Sequence, residues 1–180
     1  MNTLFALLTA GAMAASPFTL SSTDFHDGGT LGKTFVFNGM ACTGDDVSPA
    51  LHWSGAPAGT KSFALTVWDP DAPVRGGWWH WVLFDIPASA NSLAQGAGST
   101  KQAAAPAASV EGTTSFGKPG YGGPCPPVGS GAHHYIFTLY ALDETHAGSA
   151  TAKTNGPGLK ALIAKHVLGS TTLTGRYGRP

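Results

Sequence analysis

The stretch SFALTVWDPDAPVRGGWWHWVLFDI, residues 62–86, decides the reading of this chain. In Ser62 to Trp68 the apolar residues Phe63, Leu65 and Val67 recur at every second position, which places them on one face of a β-strand. Trp79 to Ile86 is almost wholly apolar, the pattern of a strand buried on both faces. Between the two lies Asp69-Pro70-Asp71-Ala72-Pro73. Its prolines fix their own φ and bias Asp69 and Ala72 towards extended geometry, so two carboxylates stand on a stiff loop at a sheet end. Such a loop holds polar groups where a ligand can meet them. The alternative is an ordinary Asp-Pro turn whose carboxylates cap local N–H groups.

Working outward, Lys33 to Phe37 reads as a strand, Asn38-Gly39 opens a loop that runs to Ser48-Pro49, and Leu51 to Trp53 is a short extended piece. Residues 88–109 are rich in Ala, Ser and Gly without periodicity and read as a long surface loop. Residues 117–131 are crowded with Gly and Pro, a stiff and tight connection. His134 to Leu142 is a third strong strand. Gly158 to Leu168 carries Leu159, Leu162, Ile163 and His166 at helical spacing, with Gly169 placed to end the helix. Thr171 to Tyr177 reads as a terminal strand. The fold class is therefore mostly β (α+β), with antiparallel strands and a helix near the C-terminus.

The chain has 180 residues, 42% of them hydrophobic and only 11% charged, enough for one domain with a real core. Ten basic residues cancel ten acidic ones, which leaves no electrostatic footprint for nucleic acid. Leu4 to Ala14 is an apolar run ending in Ala12-Met13-Ala14, a small-x-small cleavage pattern. Residues 1–15 are thus expected to be a signal peptide, although no Lys or Arg precedes the run, and residues 16–180 the mature single domain. The run is too short to span a bilayer, and no other stretch approaches transmembrane length. The protein is expected to be exported, to the periplasm or outside the cell. Export and an even count permit a disulfide between Cys42 and Cys125; the alternative is two buried thiols.

Two further motifs can carry chemistry. Trp78-Trp79-His80-Trp81 sets a histidine in a strand of low dielectric, which disfavours its charged form unless a carboxylate lies near. Strict alternation puts His80 with Trp78 and Val82, and Trp79 with Trp81 on the other face. The run Gly122-Gly123-Pro124-Cys125-Pro126-Pro127, followed by Gly129-Ser130-Gly131 and His133-His134-Tyr135, has glycine N–H groups that could form an anion nest. Adjacent histidines on a strand face opposite ways, so only one of His133 and His134 lines a given pocket.

Taken in order and spacing, Asp-Pro-Asp-Ala-Pro at 69–73, Trp79-His80-Trp81, and Gly-Pro-x-Pro-Pro followed by His-x-Tyr resemble the hallmark blocks of the phosphatidylethanolamine-binding proteins, most closely their bacterial Raf-kinase-inhibitor-like branch. Phe37-Asn38-Gly39, Trp53-Ser54 and Phe116-Gly117 agree as well, and the resemblance runs from about Phe18 to Tyr177. It implies a large central antiparallel sheet packed on a smaller one, with one or two short helices near the C-terminus. It implies a pocket at one end of the central sheet for phosphate-type anions or phospholipid head groups. Carried over by position, the ligand-binding set is Asp69, Asp71, His80, Gly123, Pro124, His133 and Tyr135, with no catalytic residue, metal or cofactor. It also supports a Cys42–Cys125 bridge beside the pocket. Val74 departs from the Ser or Thr usual in the family at its position, and the kinase-regulating features of eukaryotic members do not transfer safely.

In such a pocket, protonated His80 and His133 would donate to an anion while Asp69 and Asp71 orient and balance them, so affinity is expected to fall as the imidazoles lose their protons. Two other classes compete. One is an inhibitor of a protease or kinase, acting through an apolar rim around Trp78 and Tyr121. The other is a small-molecule enzyme using Asp/His acid–base chemistry; Ser130 lies near His133 in sequence but without a clear orienting partner.

Overall fold

The computed structural model describes residues 16–98 and 105–180, so the signal-peptide expectation for residues 1–15 lies outside the described residues. The alternating stretch at 62–68 becomes β5, Ser62–Asp69, and the apolar run becomes β6, Trp78–Pro87. The remaining strands are β1 (Thr19–Ser21), β2 (Asn38–Gly39), β3 (Cys42–Thr43), β4 (Leu51–Ser54), β7 (Ser92–Leu93), β8 (Val110–Glu111), β9 (Gly131–Leu142) and β10 (Val167–Arg179); α1 spans Gly156–Ile163. Five strands form the large sheet in the order β10-β9-β5-β6-β8, with every neighbour antiparallel. A second sheet has the order β1-β4-β7, and β2-β3 is a hairpin.

The period of two sorts the large sheet's side chains into two cores. Phe63, Leu65 and Val67 of β5, with Phe137 and Leu139 of β9, face Leu51, Trp53 and Leu93 of the smaller sheet. On the other side Ala64, Val82 and Phe84 pack against Leu159 and Ile163 of α1. β6 is covered on both faces, as its unbroken apolar run requires: Trp81, Val82, Leu83 and Phe84 are all fully buried.

Three expectations are corrected. Lys33 to Phe37 is not a strand but a 3₁₀ turn over Lys33–Phe35, closed by Phe35 N–H to the Gly32 carbonyl and Val36 N–H to the Lys33 carbonyl. Phe35, Val36 and Phe37 are buried in succession, which an alternating strand cannot do. The loop expected after Asn38 starts as the β2–β3 hairpin, its turn residues Met40 and Ala41 at φ 52° and 62°. The helix begins and ends earlier than the apolar spacing indicates. Asn155 caps it by accepting from Gly158 N–H, Pro157 fits its first turn, and after Ile163 the chain turns so that Val167 pairs with Leu142 in the sheet.

Helix and sheet meet at Gly156. A Cβ there would stand 2.1 Å from the Trp79 ring, which itself stacks on Trp68 at 5.8 Å between centroids. Gly156→Ala is therefore expected to cost about 1–3 kcal/mol by overpacking, read from urea unfolding midpoints; an unchanged midpoint would show that α1 docks loosely.

Candidate functional site

Asp69 ends β5 on the same face as Val67 and is only 3% exposed. Its Oδ1 accepts the N–H groups of Asp71 (2.8 Å) and Ala72 (3.1 Å), which folds the Asp-Pro loop back on the carboxylate. Its Oδ2 accepts from Nδ1 of His133 at 2.7 Å, with both side chains 4% exposed. His133 lies two residues before Tyr135 on β9, so the two share a face, and His134 points the other way. There Asp71 receives both the His134 N–H and its Nδ1, each at 2.8 Å. Each carboxylate of Asp-Pro-Asp thus holds one of the two adjacent histidines. Partial burial pushes the Asp71 carboxyl up, but the hydrogen bonds from His134 outweigh it and hold the group below its usual range.

His80 reaches the same face through a bulge. Val67 pairs with Trp81 and Trp68 with Trp79, so His80 has no residue opposite it on β5. The extra residue shifts the phase of β6. Trp81 joins the core beneath the small sheet and Val82 the core beneath α1, so His80 does not share a face with Val82 as strict alternation requires. The His80 ring stands edge-on to Tyr135, with centroids 5.0 Å apart, and to Phe116 at 5.5 Å. Its Nδ1 lies 2.6 Å from the Gly122 carbonyl, so Nδ1 carries the proton and Nε2 is left as an acceptor. Burial lowers the His80 pKa to about 4, against the weaker pull of the Gly122 carbonyl and Asp69. The expectation of a protonated His80 is therefore corrected: near neutral pH this imidazole is uncharged.

The Gly-Pro loop closes the site, though not as an anion nest. The N–H groups of Gly122, Gly123 and Gly129 are spent on the His80 carbonyl, Asp46 Oδ1 and the Arg179 carbonyl. Gly123 is needed for close approach, since a Cβ there would lie 2.1 Å from the Phe35 carbonyl oxygen. A disulfide joins Cys42 to Cys125, tying the loop to the β2–β3 hairpin. Together these parts enclose a cavity of about 190 Å³. Asp69, His80, His133 and Tyr135 supply its polar wall, and Met40, Val74, Trp78, Phe116, Pro126 and Pro127 are among its apolar residues. Among the described residues no Lys or Arg lines it.

Of the residues expected here, four line the cavity, and Cys125 lines it as well. Asp71, Gly123 and Pro124 do not: Asp71 faces His134, and the Pro124 carbonyl accepts from Phe37 N–H behind the wall. Met40, Phe116, Pro126 and Pro127 join the wall without a signal that places them there from sequence. The two prolines sat inside a quoted motif, but Met40 reaches the cavity only through the hairpin and the disulfide, for which no local pattern exists. Tyr135 carries one more feature: its hydroxyl is buried and has no hydrogen-bond partner among the described residues. Burial, and then the nearby Asp69, push its pKa up, so the phenol stays a neutral donor.

A family model described as phosphatidylethanolamine-binding protein matches residues 21–178. The chain is 45% identical to YbcL of Escherichia coli over 142 residues, covering 79% of this chain and 77% of the relative. It is 51% identical to E. coli YbhB over 124 residues, 69% of this chain and 77% of the relative. A Mycobacterium tuberculosis protein named as the lipoprotein LppC is 43% identical over 134 residues, 74% of this chain and 60% of that protein. The crystal structure of E. coli YbcL superposes with a TM-score of 0.87 at 37% identity, covering 92% of this chain and all of that one.

The buried imidazole gives a signed prediction. Because folding depresses the His80 pKa from 6.5 to about 4, the unfolded chain takes up this proton first, and stability is lost as pH falls through that window, on the order of 3 kcal/mol. Glu111, whose Oε2 accepts from Trp81 Nε1, works in the opposite sense: burial raises its pKa to about 7, so its contribution is complete below 4.5 and lost as pH rises to 7. The wild-type curve alone therefore hides both. His80→Asn should gain stability relative to wild type by about 3 kcal/mol between pH 6.5 and 4, measured by urea titration at each pH. Parallel wild-type and variant curves would contradict a buried neutral imidazole.

Proposed function

The chain belongs to the phosphatidylethanolamine-binding protein family, and from that premise we propose that its cavity binds a small phosphate-bearing ligand, best of all a zwitterionic head group. One observation carries this reading: Tyr135 belongs to the cavity wall, and its buried hydroxyl has no hydrogen-bond partner among the described residues. A donor left unsatisfied in the fold costs about 1–3 kcal/mol, a cost that a guest oxygen can relieve. Among the described residues no Lys or Arg lines the cavity, so a bare dianion would meet the Asp69 carboxylate with no ammonium or guanidinium beside it. A head group that brings its own ammonium avoids this. Its phosphate accepts from Tyr135, and its ammonium donates to Nε2 of neutral His80 beside Asp69. The apolar walls at Trp78, Phe116 and the two prolines take adjacent carbon.

The alternative reading, an inhibitor of a protease or kinase, loses Tyr121 from its expected rim, because that ring is buried with its hydroxyl on the Phe35 carbonyl; it draws instead on the exposed Met40 and Val74 at the mouth beside Trp78, and on Val128 next to Pro127. Export is also part of the proposal, with residues 1–15 as a removed leader and 16–180 as a single mature domain. The Cys42–Cys125 bridge and the lipoprotein-named relative support it, and among the described residues no helix is long and apolar enough to cross a membrane.

Calorimetric titration with phosphorylethanolamine, inorganic phosphate and ethanolamine tests the binding. Phosphorylethanolamine should bind more tightly than either fragment. Tyr135→Phe should weaken it about tenfold or more while leaving the ligand-free protein as stable as wild type or more so. A variant that binds as well as wild type, or a wild type that binds none of the three, would refute the assignment.

A further inference from the structure

We propose that Ser130, His133 and Asp69 form a nucleophilic triad at the lip of the cavity, competent to cleave a small carboxylic ester. Nε2 of His133 lies 3.0 Å from Ser130 Oγ, and Nδ1 of the same ring lies 2.7 Å from Asp69 Oδ2. The carboxylate only accepts, so it fixes the proton on Nδ1 and leaves Nε2 of the neutral imidazole as a base facing the hydroxyl. The orienting pair is buried, Asp69 and His133 each 4% exposed at the side chain, while Ser130 itself is exposed. That division is what a nucleophile needs: a base held rigidly from behind and an oxygen open to substrate.

The local sequence explains the placement. Gly129 and Gly131 take φ of 77° and 86°, values that favour glycine, and the turn they make carries Ser130 back over the ring three residues later. A serine that only closed its own turn would need no more than the Pro127 carbonyl, 2.9 Å from Oγ. Here that carbonyl has a second use. It accepts the serine proton when the imidazole is charged and donates from Nε2, so every polar atom of the triad stays satisfied in both protonation states.

The chemistry balances within the chain, its ester and water. The Ser130 proton passes to His133 Nε2 as Oγ bonds to the ester carbonyl carbon. The tetrahedral adduct collapses by breaking the bond to the alkoxy oxygen, which leaves as an alcohol with the proton from Nε2. Water then adds to the acyl-serine under the same base, releasing the carboxylic acid and restoring Ser130. Pro127 and His133 both line the cavity, so an acyl group on Ser130 lies at its mouth, and Trp78 and Phe116 offer apolar walls to a short acyl or aryl chain. The inference shares the cavity with the head-group proposal but does not depend on anion binding.

The test uses the full chain, a fluorophosphonate probe and p-nitrophenyl butyrate. Peptide mass spectrometry should find the phosphonyl adduct on Ser130, formed with loss of fluoride and the serine proton. Ser130→Ala should abolish both the adduct and ester hydrolysis yet still bind phosphorylethanolamine as wild type does, which separates this proposal from the preceding one. His133→Gln, with its fold checked by thermal melting, should slow labelling about 100-fold or more. Absence of an adduct on Ser130 in the folded wild type, hydrolysis that survives Ser130→Ala, or labelling unchanged by a folded His133→Gln would each overturn it.

Discussion

The buried contact between Asp69 and His133 is the constraint on which the site depends. It joins the last residue of β5 to the start of β9, where their ladder pairing has already ended at Trp68 and Ile136. Inside the protein a carboxylate needs every lone pair answered, and Asp69 is answered by two loop N–H groups and one imidazole. Removing one partner of such a pair leaves the other stranded, at a typical cost of about 3–5 kcal/mol. One side chain therefore does three things. It shapes the Asp-Pro loop, fixes the tautomer of His133, and keeps the sheet from splaying at the end where the cavity opens.

The other walls follow from two departures from regular structure. The bulge at His80 turns an imidazole onto the cavity face while Trp79 keeps its place against α1. The disulfide and the Asp46–Gly123 bond hold the proline loop and the Met40 hairpin over the opening. Burial then sets the electrostatics. His80 is neutral, Tyr135 remains a phenol, and among the described residues no Lys or Arg lines the cavity. A pocket of this kind selects by hydrogen-bond direction and by shape more than by net charge.

Much of this was legible in the residues. Alternation at Phe63, Leu65 and Val67 gave β5, and the solid apolar run gave a doubly covered β6. Adjacent histidines on a strand face apart, and His133 and His134 accordingly meet different carboxylates. What failed did so where tertiary contacts override local pattern. The 33–37 segment has strand composition, but its position under the proline loop buries three side chains in a row. The helical spacing of Leu159, Leu162 and Ile163 continues through His166, yet the chain leaves the helix after Ile163 and Val167 and Leu168 enter β10. The bulge at His80 carries no glycine to mark it, and the Ser130–His133 contact needs a turn geometry that two glycines permit but do not announce.

Crystals grown with phosphorylethanolamine give the most direct test of the central claim. The account predicts phosphorus density inside the cavity, with a phosphate oxygen about 3 Å from the Tyr135 hydroxyl and the amine beside Nε2 of His80. Density confined to the separate surface cavity at Arg75 and Asn155, with the space between Asp69 and Tyr135 empty, would contradict it.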